Sequence, residues 1–88
     1  MIITMSPNIE GYKIVEYCGT VIAFVPLGLP FANDGDLIRA RYNIENKLIV
    51  QAEGFNADAV ISLSFNSDNG AAKGYLLATG TAVKIEKL

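Results

Sequence analysis

The chain has 88 residues, of which 51% are hydrophobic and 18% charged, with a net charge of −2 and a sequence pI of about 4.9. Its seven Lys and Arg residues are scattered and form no basic stripe interleaved with aromatics, which excludes a nucleic-acid surface, since phosphate affinity needs clustered cations. With no His and one Cys, the commonest general base, the commonest metal ligand and any internal disulfide are missing from a single copy.

Ile2, Ile3 and Met5 make a short apolar opening that Ser6-Pro7-Asn8 ends, fit to add an edge strand. It has no basic region and no long apolar segment, so it does not read as a signal peptide, and with the lone Cys18 the cytoplasm is the expected compartment. Ile9-Glu10-Gly11 reads as a turn. Tyr12 to Val25 is rich in Ile, Val, Tyr, Thr and Phe and predicts a long strand. Strict alternation puts Val15, Tyr17, Val21, Ala23 and Val25 on one side and Ile14, Cys18, Ile22 and Phe24 on the other. Such a strand is apolar on both faces and has to be covered on both, while a single helix covers one. Gly19 marks a bulge or bend at its middle. The second half, Thr20 to Val25, is expected to project towards a neighbouring subunit, so that Phe24→Asp or Val21→Asp breaks an assembly.

Pro26 to Gly35 reads as a loop by its Pro and Gly content, and it also breaks the densest apolar run, Val21 to Ala32, well short of the ~20 residues of a membrane-spanning helix. It is apolar for a loop, with Leu27, Leu29 and Phe31. These side chains either fold onto the domain's own core or form an intersubunit contact or pocket wall. Asp34 or Asp36 suits a helix N-cap. From there to Phe55, the set Leu37, Ile44, Leu48, Ala52 and Phe55, supported by Ile38 and Ile49, follows helical spacing, with Arg39, Arg41, Glu45, Lys47 and Glu53 largely elsewhere on the wheel. Asn56 suits the left-handed residue that stops a helix. Ala57 to Phe65 predicts a strand with Ala59, Ile61, Leu63 and Phe65 on its buried face. Ser67-Asp68-Asn69-Gly70 predicts a tight hairpin turn, and Tyr75 to Ile85 the last strand.

The order predicts a single α+β domain over residues 1–88: two layers, an antiparallel β-sheet with one amphipathic helix on one face, β-β-α-β-β. A chain this short buries only about 60–65% of its unfolded surface, so its apolar content exceeds what one subunit hides. The simplest resolution is a homo-oligomer.

Val15-Glu16-Tyr17-Cys18-Gly19, Asn56-Ala57-Asp58-Ala59-Val60-Ile61 and Gly80-Thr81-Ala82-Val83-Lys84 together resemble the YbjQ-like family, whose description is "putative heavy-metal-binding". The resemblance covers the long strand, the helix end and both later strands. It implies a dodecin-like α+β subunit assembling as a ring, with a pentamer favoured. The segment between the long strand and the helix end is shorter than the family pattern, and Asn56 stands where the family has Gly.

Metal binding has to stand on ligands, and the candidates are Cys18, Glu16 and Asp58, which could form a divalent-metal site only if shared between subunits of a ring. Cys18 alternatively serves as a small buried residue. Asp58 alternatively satisfies backbone N–H groups at the helix-to-strand turn, and Glu16 decorates a partly exposed strand face. Ser62, Ser64 and Ser67 lack an activating partner in sequence, so no enzyme is expected and no organic cofactor. The expected function is that of a non-enzymatic, self-associating protein, with a small-molecule-binding module sited at subunit interfaces as the alternative.

Overall fold

A computed structural model of the chain describes residues 1–28, 34–68 and 74–88. Among these, the elements in chain order are β1 (Ile2–Ile3), β2 (Tyr12–Gly28), α1 (Asp34–Gly54), β3 (Ala59–Asp68) and β4 (Gly74–Lys87). They form one sheet of order β1-β3-β4-β2 with the helix against it. β2 and β3 run antiparallel to the central β4, whereas β1 joins β3 in parallel through Ile2↔Ala59 and Ile3↔Val60. The α+β architecture is as expected. The sheet is mixed because the N-terminal opening does add an edge strand. The Asn69-Gly70 turn, the loop residues Leu29 to Phe31 and the capping side chains of Asp34 and Asp36 lie outside what is described. β2 itself runs three residues beyond Val25, through Pro26, a residue type that sheets confine largely to edge strands such as this one.

The helix buries Ala40, Ile44, Leu48 and Ala52, one residue per turn on a single stripe. They pack on Val21 and Ala23 of β2, Val60 and Leu63 of β3, and Leu76, Ala78 and Ala82 of β4. Small residues on both surfaces let helix and sheet approach closely, and the fully buried Ile44 and Leu48 each contribute about 1.5–3 kcal/mol. Ile38, expected to support this stripe, is 66% exposed on the outer side. The helix stops at Asn56, whose φ of 58° is left-handed. The Asn56 N–H donates to Glu53 O (2.9 Å) and the Ala57 N–H to Ala52 O (3.0 Å), the paired bonds of a Schellman ending.

Bulges alter the face pattern that strict alternation predicts. In β2 the register slips between Ile14 and Glu16 and again between Tyr17 and Gly19. Each extra residue flips the faces beyond it. Val21 and Ala23 therefore sit under the helix, joined by Cys18, while Val15 and Tyr17 are exposed. Val21 has no exposed surface at all, so it belongs to the chain's own core and does not face a neighbour, contrary to expectation. Ile22 and Phe24, on the opposite face, are half exposed. In β3 a slip between Ile61 and Ser64, with Ser62 at a φ of 54°, splits the expected face in two. Leu63 and Phe65 join Val60 beneath the helix, and Ala59 and Ile61 turn to the back of the sheet.

That back face is covered at one end by the chain itself. The Thr4 N–H donates to Val60 O, the Leu63 N–H to Thr4 O and the Ser62 N–H to Ser6 O, which lays the N-terminal segment along β3. A turn closed by Tyr12 N–H to Ile9 O (3.1 Å), with Gly11 at the φ of 83° that a type II turn needs, returns it to β2. Ile9, Ile14 and Ile85 then pack on Ala59, Ile61 and Val83. The helix thus covers one face and this strap covers part of the other. The back of the sheet around Ile22 and Phe24 has no such cover among the described residues. The protomer is elongated, 46 × 22 × 17 Å, with a radius of gyration of 14.4 Å against about 12 Å for a compact chain of this length.

Candidate functional site

The three candidate metal ligands do not converge in one chain. Glu16 is exposed on β2, with Lys84 as its register partner on β4. Cys18 is the extra residue of the second β2 bulge, half-buried against the helix-side core. Asp58 precedes β3, on the far side of β4 from Glu16, two strand spacings or about 10 Å across the sheet. Its Oδ2 accepts from the Ile85 N–H (3.1 Å) and its own N–H donates to Val83 O (2.9 Å). The carboxylate therefore pins the start of β3 to β4. No group of three or more Cys, Asp or Glu side chains suited to a metal exists among the described residues. The described residues of one copy therefore do not fit a heavy-metal ion.

A different feature lies along the outer edge of β2. Ile22, Ala23 and Phe24 form one wall, and Asn46, Lys47, Val50 and Gln51 of α1 the other, of a groove of about 500 Å³. The helix arrives here because its buried stripe brings the adjoining positions, one residue before Leu48 and Ala52, over the strand edge. Gln51 presents its side-chain amide as if it were a neighbouring strand: Oε1 accepts from the Ile22 N–H (3.0 Å) and Nε2 donates to the Ile22 carbonyl. One turn earlier, Lys47 Nζ donates to the Phe24 carbonyl (3.2 Å). Backbone groups that an edge strand leaves open for pairing are thereby occupied. Sequence reasoning placed Lys47 on the outer wheel and passed over Gln51. The available signal was their position flanking the buried stripe, and nothing in the periodicity distinguishes an edge clamp from a solvated side chain.

The outer side of α1 carries a second apolar row. Ile38, Tyr42 and Val50 are each about two-thirds exposed and, with Asn46 between, repeat every four residues. Glu45 and Arg41 flank them, and the Arg41 guanidinium lies 4.7 Å from the centre of the Phe65 ring. The Lys13–Glu86 pair at 3.7 Å joins two exposed side chains at the far end of the sheet, where it adds little. No helix of the described residues is long and apolar enough to cross a membrane.

Comparison with known proteins places this geometry. A family model described as "Putative heavy-metal-binding", YbjQ type, matches residues 32–86. A UPF0145 protein of Thermosipho africanus is 36% identical, covering 99% of this chain and 97% of its own length. One from Listeria monocytogenes serotype 4a is 35% identical, covering 98% and 96%. The Thermosipho alignment spans 107 positions, so that relative carries residues this shorter chain lacks. Among solved structures, a protein of unknown function of the DUF74 family from Pediococcus pentosaceus superposes with a TM-score of 0.75 at 26% identity, covering 98% of each chain.

Proposed function

Since the chain belongs to the YbjQ family, whose members bear the UPF0145 name and no named activity, we propose that it acts as a non-enzymatic, cytoplasmic homo-oligomer, a ring of five single-domain subunits. The observation that carries this reading is the apolar surface left on the folded protomer. Ile22, Phe24, Ile38, Tyr42 and Val50 are each half to two-thirds exposed. The protomer's accessible surface is 5528 Å², against about 5,000 Å² for a compact monomer of 9.5 kDa. Both point to surface intended for burial. The absence of His from the sequence supports the non-enzymatic part.

Metal binding of the kind the family name describes is, in this reading, a property of the ring. The described residues of one copy hold no cluster of three ligands, so in this reading the site combines Glu16 and Cys18 of one subunit with an acidic group such as Asp58 of another. The groove beside Val50 supports the second reading, a small apolar molecule held where subunits meet, because its volume lies in the range of ligand sites. Native mass spectrometry of metal-free and metal-supplemented protein tests both. A pentamer is expected, and a monomer at micromolar concentration overturns the reading. Extra mass in whole numbers per ring assigns the metal site to the interface, and unchanged mass removes it.

A further inference from the structure

Independently of the ring reading, we propose that Lys47 and Gln51 form an autoinhibitory contact. They stand in for a neighbouring strand along Thr20 to Val25 of β2 and keep that edge from pairing with the same segment of a second copy. The two edges of the sheet are unequal. β1 is two residues long, whereas β2 runs for 17. A long edge presents a row of N–H and C=O groups to which another chain can add, and a very short one does not.

β2 carries a different obstacle to pairing along each part of its length. Its first half holds the charged Lys13 and Glu16 and two bulges, between Ile14 and Glu16 and between Tyr17 and Gly19. Its end holds Pro26, which has no N–H to donate, and a third register shift before Gly28. Between them Thr20 to Val25 pairs with β4 without interruption, from Thr81 to Leu76. These six residues contain no charge, no Gly and no Pro, and four of them are β-branched. Short segments of that composition are the ones that stack into cross-β assemblies. The helix supplies the obstacle that this stretch lacks.

Helix and strand geometry make the fit. Lys47 and Gln51 are four residues apart, about 6 Å along a helix, and their targets Phe24 and Ile22 are two apart, about 6.6 Å along a strand. The two rows therefore stay in step while running in opposite directions. The next position in the helical row, Phe55, meets β2 again, since a Cβ at Gly19 would stand 3.0 Å from its ring. Gln51 suits the task because its side chain is itself an amide. It offers the Ile22 N–H an acceptor and the Ile22 carbonyl a donor, as the backbone of a paired strand would. Lys47 adds an ammonium, bonded to the Phe24 carbonyl, that an incoming strand would have to displace or desolvate.

The test compares a Lys47→Met/Gln51→Met variant, which keeps the side-chain bulk and loses the bonds, with Asp58→Ala, which removes a bond between the start of β3 and β4 away from the β2 edge. Far-UV circular dichroism verifies that both fold, and urea midpoints rank their stability. Each lost bond shifts opening of the edge by roughly fivefold, so without denaturant the double variant is expected to form thioflavin-T-positive aggregates about tenfold or more faster than wild type. Asp58→Ala should stay near the wild-type rate although it is no more stable. Adding Ile22→Lys to the double variant puts a charge into the segment at a half-exposed position and should restore the wild-type rate. In the aggregates the Ile22 amide, opened by the substitutions, should be protected from exchange again. If the double variant does not fold, Gln51→Met alone serves in the same comparison. An unchanged rate in the clamp variant, an equal acceleration in Asp58→Ala, or an Ile22 amide that exchanges freely in the aggregates overturns the proposal.

Discussion

Gly80 offers a sharp test of how the core is packed. It lies on the helix side of β4, opposite Val21 of β2 in register. A Cβ at this position would stand 2.7 Å from Val60 Cγ1, 3.3 Å from the Ile61 carbonyl oxygen and 3.6 Å from Val21 Cγ2. Gly80→Ala adds a buried methyl worth about 0.8 kcal/mol and removes about 0.5–1 kcal/mol of unfolded-state freedom. Against this stands overpacking, about 1–3 kcal/mol. The upper part of that range applies, because Val60 is fully buried and β-branched, with little rotameric freedom to move aside. The expected net effect is a loss of about 1 kcal/mol. Val60→Ala removes the clashing methyl and on its own costs about 2 kcal/mol. In that background Gly80→Ala should change sign and stabilise by about 1 kcal/mol. Denaturant unfolding of the four proteins at one fixed concentration gives the coupling directly. A coupling under about 0.5 kcal/mol, the noise of independent sites, would refute the packing argument.

Three further outcomes follow from the same packing. Val21→Asp should abolish folded circular dichroism, since an unpaired buried carboxylate costs several kcal/mol in a domain holding little more, whereas Phe24→Asp should keep the fold and reduce the assembled mass. Equal effects at the two positions would contradict the face assignment. Asp58→Ala should lower stability by about 1 kcal/mol through loss of the bond to the Ile85 N–H, with Asp58→Asn retaining most of it in a urea melt. Gln51→Ala should cost less than about 1 kcal/mol, because water replaces the clamp, yet hydrogen exchange at the Ile22 amide should quicken by about tenfold or more. An unchanged exchange rate would mean that the clamp does not form in solution.

What the amino-acid sequence determined by itself was local. The period of Ile44, Leu48 and Ala52 names the helix, Asn56 its stop, Gly11 a turn and Gly19 a break in the long strand, because each depends on torsions and spacing within a few residues. The surplus of apolar side chains was likewise countable before any fold was known. Which face each strand buries was decided only in three dimensions. An extra residue at Cys18 or Ser62 reverses the alternation beyond it, and the presence of that residue is defined by the partner strand's register. How far Glu16 and Asp58 stand apart within one copy was likewise settled only by sheet order, which puts β4 between them. The edge clamp of Gln51 and Lys47 had no sequence signature beyond its place beside the buried stripe, since it joins residues more than twenty positions apart whose meeting is a consequence of helix docking. Periodicity is a property of one segment, while burial and edge protection are properties of what the other segments place beside it.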